Sequence, residues 1–405
     1  MNDSSLTRRR VIQAMLATPV LAGLGPASAF GQDSDELITA ADKALDVFDF
    51  ERLARAKLPP AHFGYLATGV DGDATLKANA AGFSNYSLRV RRLIDVSKID
   101  MSVNLFGTTW DSPIVIDPVG SQRAFHPDGE LATARAAKSR KHLQILSTVS
   151  STGVEDVAAA RGAPIWYQLY PTDQWSVTQA LVRRAEAAGC PALALTVDLQ
   201  GGSNRVTLAR AIPRDPRDCT TCHTTSRTRL SGHITGKPMF AGIDISAVTE
   251  LIGLDMNWDY VKRLRDIWPR KLLIKGIVMG EDAELAVEHG VDGLIVSNHG
   301  GRAEDSGRAS IDSLVEVVAG VGGRVPVIVD GGFRRGSDIF KALALGANAI
   351  AIGRPYIWGL ASFGQEGVEK VLDILRAELL TSMRQAGARS IAEIKPSFVV
   401  DNRRG

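Results

Sequence analysis

The sequence carries almost no net charge: 47 Lys and Arg stand against 45 Asp and Glu in 405 residues. That balance removes the electrostatic footprint of a nucleic-acid or anionic-membrane binder. Cysteine is scarce, at three, and Cys190 stands apart from Cys219 and Cys222. A four-cysteine zinc site is therefore excluded, and any tetrahedral metal would have to draw on histidine. After the first 30 residues no apolar run is long enough to span a bilayer. What is present, 45% hydrophobic and 23% charged residues, is the composition of an ordinary globular protein.

Residues 1–30 read as an export signal. Arg8, Arg9 and Arg10 form a basic start, 11–24 is apolar apart from Gln13 and Thr18, and Ala27-Ser28-Ala29 offers a small-residue cleavage site. The order Thr7-Arg8-Arg9-Arg10-Val11-Ile12 suggests the twin-arginine route, which exports proteins already folded around a cofactor. The expectation is a mature chain that starts near Phe30 and works in a periplasm.

Eight apolar, β-rich runs then recur: PIVIDP (113–118), LQILS (143–147), PIWYQLY (164–170), PALALTVD (191–198), KLLIKGI (271–277), DGLIVSNHG (292–300), VPVIVDGG (325–332) and AIAIGRP (349–355). Helical stretches fall between most of them, at 128–141, 177–188, 282–288 and 337–345. Continuous apolar runs suit strands buried on both faces of a parallel sheet. Eight strand–helix repeats predict a single (β/α)8 barrel over 112–405, preceded by a helical extension at 31–111. A doubly wound sheet is the alternative. The barrel is favoured because polar residues close almost every strand: Asp117-Pro118, Ser147, Gln168 with Tyr170, Thr196 with Asp198, Lys275, Ser297-Asn298-His299, Asp330-Gly331-Gly332, and Gly353-Arg354. In a barrel these ends meet at one mouth, where binding and chemistry sit. One connection, 199–270, is 72 residues long and is expected to cover that mouth.

The strand ends suggest a chemistry. His299 suits a general base near neutral pH, and Arg302, three residues on, can grip a carboxylate. Asp198 can set the imidazole tautomer. Glycines 331, 332 and 353, with Arg334 and Arg354, form a phosphate site at the last two strand ends. Lys275 places a fixed cation where it would stabilise negative charge on a reduced ring. A packing role for the His–Asp pair is the plain alternative.

These residues resemble the FMN-dependent L-2-hydroxy acid dehydrogenases and oxidases, the family of glycolate oxidase, cytochrome-linked L-lactate dehydrogenase and mandelate dehydrogenase. The likeness runs from about Phe48 to the C-terminus through LIDVSKIDM (93–101), HPDGELATARAA (126–137), QLY (168–170), LTVD (195–198), SNHGGR (297–302), DGGFRRGSDIFKALALGA (330–347) and IGRP (352–355). The resemblance implies His299 as proton acceptor with Asp198 behind it. It implies Arg302, Arg205, Tyr65 and Tyr170 around the substrate carboxylate. FMN would rest on the backbone at Pro118, Val119 and Gly120, on Ser147, Gln168, Thr196 and Ser297, and against Lys275 and Asp330. Its phosphate would meet Gly331, Gly332, Arg334, Gly353 and Arg354. Relatives are often tetramers, so a homo-oligomer is expected.

The chain also departs from the family pattern. Val149 stands where relatives often carry an aromatic residue, PVGS (118–121) where they usually read P-T-A, and Ser203-Asn204 precedes Arg205 where they usually have G-x. These changes leave the flavin chemistry intact and bear on the substrate's side-chain pocket.

The segment CTTCH, Cys219 to His223, lies in the long connection. Its spacing is that of covalent haem c attachment, with His223 as one axial ligand and Met239 or His233 as the other. A disulfide between Cys219 and Cys222 and a partial metal site remain alternatives, and no metal is assigned. Cys190, just before an apolar strand, reads as a buried thiol. The combined expectation is an exported FMN enzyme that oxidises a lactate-like L-2-hydroxy acid and passes electrons to a cytochrome or a bound haem. The rivals are an oxygen-using oxidase that makes peroxide and, from another class, a non-catalytic redox carrier.

Overall fold

The structure, a computed structural model, describes residues 36–217 and 234–403. The export signal and Cys219, Cys222, His223 and His233 lie outside the described residues.

All eight expected strands form, and they close a parallel barrel: β1 (Ile114–Ile116), β2 (Leu143–Ser147), β3 (Trp166–Leu169), β4 (Ala192–Thr196), β5 (Lys271–Ile277), β6 (Gly293–Val296), β7 (Val327–Val329) and β8 (Ala349–Ile352). The closing seam pairs β8 with β1, Ile350 opposite Ile114 and Ile352 opposite Ile116. The period of two explains why nearly every strand residue is apolar. Val115, Ile145, Leu273, Ile295, Ile328 and Ala351 fill the barrel, while Ile114, Ile116, Leu272 and Leu294 pack outward under the helices. The expected helices appear as Gly129–Ser139, Trp175–Ala187, Gly280–Glu288 and Gly336–Ala344. The last helix, Arg354–Ala386, bends at Phe363 and Gly364, where the glycine turns to φ +60°.

The segment before the barrel is only partly helical. Helices at Val47–Lys57, Pro60–Ala67 and Ala74–Ala81 give way to short strands. Tyr86–Leu88 pairs antiparallel with Val399–Asp401 near the C-terminus. Val103–Leu105 and Thr108–Trp110 make a hairpin whose Leu105 joins the barrel's interior cluster and whose Phe106 packs on Trp166, ring centres 5.4 Å apart. Sequence periodicity is silent on three-residue strands, which is why this stretch reads as helical from the sequence alone.

In the long connection, Trp258–Ile267 is the barrel helix that follows β4. A short helix, Val206–Ala211, packs on Pro60–Ala67, where a side chain at Gly64 would meet the Ala211 Cβ at 2.4 Å. Met239 is fully buried in the main core, where its sulfur fills packing space. Cys190 is fully buried beside β4. Among the described residues, no helix is long and apolar enough to cross a membrane.

Candidate active site

At the C-terminal mouth lies a cleft of about 820 Å³, its open entrance included. Its walls bring together Tyr65, Pro118, Val119, Gly120, Tyr170, Lys275, His299, Arg302, Asp330, Gly331, Gly332, Arg334, Gly353 and Arg354. Ser147, Gln168, Thr196 and Ser297 sit just beneath, fully buried at the strand ends. They are knit together: Gln168 Nε2 donates to Thr196 Oγ1 at 2.8 Å, and Ser297 Oγ accepts from Lys275 Nζ at 2.8 Å and from the His299 amide at 2.9 Å. Asp198 lies behind His299, and Arg205 lies beside Tyr65.

His299 is held in the left-handed region, at φ +57°, followed by Gly300 and Gly301 at positive φ. A histidine rarely takes this conformation, and backbone strain of this kind gathers at functional sites. Nδ1–H donates to Asp198 Oδ1 at 2.9 Å, which leaves Nε2 as the basic nitrogen. Nε2 accepts from the Tyr170 hydroxyl at 3.2 Å. Burial pushes the His299 pKa below its ordinary value, and Asp198 opposes that push. The imidazole is therefore neutral and able to take a proton. Burial also raises Tyr170, so its phenol stays protonated as a donor. Burial works against ionised Asp198, but His299 and Lys275 outweigh it and hold the carboxyl below the usual range.

Lys275 is buried at the end of the β5 apolar run, with Nζ 2.5 Å from Asp330 Oδ2 and 3.8 Å from Asp117 Oδ2. Burial disfavours its charge, yet Asp117, Asp330 and Asp198 raise its pKa and keep it an ammonium. Asp117 itself is pushed up, by burial first and by Asp330 besides. Its Oδ1, like Oδ1 of Asp330, has no hydrogen-bond partner among the described residues.

The arginines crowd one another. Burial and nearby Arg205 lower Arg302 to about 10, and burial lowers Arg334 to about 10. Arg354 is lowered by burial and by both Arg302 and Arg334. Among the described residues, its guanidinium donates to three carbonyls, those of Leu66, Gly300 and Thr68, at 2.8 to 2.9 Å. Buried cations this close together suit the binding of an anion.

FMN fits this cleft. Arg334 and Arg354 supply the charge that a phosphate needs, at the two last strand ends. Lys275 and the unpartnered carboxylate oxygens of Asp117 and Asp330 suit the polar edge of a ring that both donates and accepts hydrogen bonds. Gly353 is free of steric demand from the protein, since a Cβ there would meet only ordinary contacts at 3.9 Å; what it keeps open is the cleft. Gly332 differs: at φ +84°, its Cβ would lie 2.0 Å from the Asn79 carbonyl oxygen, so the protein's own packing demands it.

A family model described as FMN-dependent dehydrogenase matches residues 54–401. The chain belongs to the FMN-dependent dehydrogenase family. It is 42% identical over 363 residues to a peroxisomal (S)-2-hydroxy-acid oxidase of Oryza sativa subsp. japonica, covering 88% of this chain and 96% of that protein. It superposes on a soluble mutant of the membrane-associated (S)-mandelate dehydrogenase from Pseudomonas putida with a TM-score of 0.79, at 34% identity over 88% of this chain and 99% of the other. A flavocytochrome b2 mutant superposes with the same TM-score, 0.79, at 30% identity, covering 90% of this chain and 89% of that one.

Two parts of the FMN-dependent dehydrogenase site were not singled out from sequence. Asp117 was visible as a strand-end acid, but only the closed barrel puts it beside Lys275, across from β5. Asn79, in the helix Ala74–Ala81, had no signal at all: it is one small polar residue in an alanine-rich stretch. Its carboxamide meets that of Asn298, the residue before His299.

Proposed function

We propose that this FMN-dependent enzyme oxidises a small, lactate-like L-2-hydroxy acid to its 2-oxo acid and passes the electrons to a cytochrome or to a haem c of its own. The observation that carries the first part is the neutral tautomer of His299: Nε2 is the only ring nitrogen left basic, and it faces the same cleft as Arg302. When bound, FMN supplies the acceptor for the substrate's electron pair. His299 Nε2 takes one proton from the substrate, and Asp198 steadies the imidazolium that forms. Arg302 and Arg205 hold the carboxylate, stacked 4.7 and 5.7 Å over the ring of Tyr65. Tyr170 donates toward the reacting oxygen, a role its raised pKa supports. Lys275 offers a positive charge at the polar edge of the ring.

The non-catalytic carrier is disfavoured because electron carriage needs neither a base nor a carboxylate clamp. The mandelate dehydrogenase and flavocytochrome b2 neighbours support a dehydrogenase-type acceptor, as does the proposal that residues 1–30 send the protein to a periplasm, where c-type haem is attached. The oxygen-using reading is favoured by the 42% identity to a 2-hydroxy-acid oxidase. The deciding experiment reduces the purified protein anaerobically with L-lactate, then mixes it with oxygen or with cytochrome c. Faster reoxidation by oxygen, with one peroxide per turnover, discards the cytochrome reading. Flavin bands without a c-type haem band in periplasmic protein discard the haem on Cys219 and Cys222.

A further inference from the structure

The long connection carries a cation that the mechanism above does not use. Lys237 precedes the short turn Pro238–Phe240. That turn is a firm platform: Ile234 and Met239 are fully buried, Phe240 is nearly so, and the Arg184 guanidinium donates to the Pro238 carbonyl. From it the lysine reaches back to the barrel, where Nζ donates to Ser121 Oγ at 2.5 Å. Ser121 directly follows Gly120, and its amide donates to the Val149 carbonyl at 3.0 Å. Gly120 and Val149 both line the cleft, so the ammonium is bonded to the residue that follows its wall. Gly120 brings no side chain to that wall and Val149 only a small one.

Among the described residues, no carboxylate forms an ion pair with Lys237. Its hydrogen-bond partner is a neutral hydroxyl. Glu130, whose charge it feels, spends its two oxygens on Gln122, Ser151 and Thr152. Burial lowers the Lys237 pKa despite Glu130 and Tyr65. The lysine also belongs to a larger group. Burial would raise the Tyr65 phenol, but Arg302, Arg205 and Lys237 together bring it below its ordinary value. Three cations thus act on one phenol, two of them stacked on its ring. A single 2-hydroxy carboxylate answers the two arginines and leaves the lysine unanswered.

We propose that the substrate carries a second carboxylate at its far end, received by Lys237 and Ser121, so that the enzyme acts on 2-hydroxy dicarboxylic acids. This rests on the 2-hydroxy-acid reading above and names the substrate class within it. Two of the three departures from the family pattern, at 118–121 and Val149, fall on or beside the same wall. Burying a charge that finds its counter-ion only in the correct substrate is an efficient route to discrimination, because a substrate lacking it leaves the cation unpaired.

The test is anaerobic flavin bleaching by L-lactate, L-malate and L-2-hydroxyglutarate, with kcat/KM read for the natural protein, Lys237→Met and Lys237→Arg. At least one dicarboxylate should exceed L-lactate by about tenfold or more in the natural protein. Lys237→Met should lower that ratio at least about tenfold, Lys237→Arg should restore most of it, and added salt should erode it. A lysine that merely latched the connection to the barrel would lower all three substrates in proportion and leave the ratio unchanged, which overturns the proposal. Bleaching by L-lactate in preference to both dicarboxylates overturns it too, while leaving the 2-hydroxy-acid reading intact. No bleaching by any of the three overturns that reading and this one with it. If Lys237→Met does not load FMN, Ser121→Ala asks the same question by the same ratio.

Discussion

The side-chain amides of Asn79 and Asn298 exchange two hydrogen bonds, at 2.8 and 2.9 Å. Both residues are buried, and each oxygen does further duty: Asn79 Oδ1 accepts from the Ser310 amide at 2.9 Å and Asn298 Oδ1 from the Gly301 amide at 3.0 Å. The pair ties the helix before the barrel to the turn that carries His299. Asn79→Ala would leave the buried Ser310 amide without its acceptor, at about 1–3 kcal/mol where water cannot enter, and would take one hydrogen bond each from Asn298 Nδ2 and Oδ1, which keep the Arg308 carbonyl and the Gly301 amide. The expected result is an earlier denaturation midpoint and flavin reduction slowed by about tenfold or more, because a small misplacement of the base is costly. Equal reduction rates in the natural and variant proteins would refute the positioning role.

His299→Gln should bind FMN in full stoichiometry and lose substrate reduction by about 10²- to 10⁴-fold. Anaerobic stopped-flow bleaching, with the flavin counted by its absorbance, separates the two quantities. Bleaching at the natural rate would show that another group takes the proton.

The pH profile follows from the direction of the His299 shift. The base works when neutral, and burial holds its pKa below the ordinary value of about 6.5. kcat/KM should therefore be flat through neutral pH and fall only in more acid solution. Asp198→Asn removes the charge that supports the imidazolium, so the fall should move further toward acid while the plateau drops. An acid limb displaced upward in the variant would contradict the assignment.

Lys275→Met would strand Asp117 and Asp330, both buried, without their cation. Breaking a buried pair on one side costs about 3–5 kcal/mol. The variant should melt earlier and hold FMN more weakly, and Asp330→Asn added to it should recover part of the stability. Calorimetry with and without added FMN reads both effects, and an unchanged melting point in Lys275→Met would discard the charge account.

His142 predicts acid sensitivity far from the mouth. It is buried, its Nδ1 is 2.9 Å from the Ile114 carbonyl oxygen, and burial drives its pKa down to about 4. The unfolded chain binds that proton at about 6.5, so the unfolded form gains as solution turns acid. The contribution is fully present above about pH 6.5 and is lost between there and about pH 4, amounting to about 3 kcal/mol. In His142→Gln, denaturation midpoints should change less steeply over that window; an identical slope would show that other groups dominate.

The legible part of the site consists of residues whose chemistry is tied to a strand end. His299, Lys275, Asp330 and Arg354 each close an apolar run, and a closed barrel can send such ends to only one rim. The illegible part consists of residues brought in from elsewhere. The hairpin 103–110 that seals the barrel's other end was read as helix, because three-residue strands are too short to show a period. Met239, a candidate haem ligand from its place near CTTCH, is buried in the main core, and one methionine among apolar neighbours looks the same in sequence in either role.

Eight apolar runs, each closed by a polar or glycine residue, were enough to determine the barrel and its mouth, and the family resemblance carried by their ends pointed to the flavin, because those properties are local to each strand and its last two or three residues. The tertiary structure alone decided that Asn79 supports the His299 turn, that Asp117 shares Lys275 with Asp330, and that Lys237 reaches Ser121. Each of those pairs is separated by more than a hundred residues of chain, and their partnership depends on where the barrel's closure brings the far segment, which no short stretch of sequence encodes.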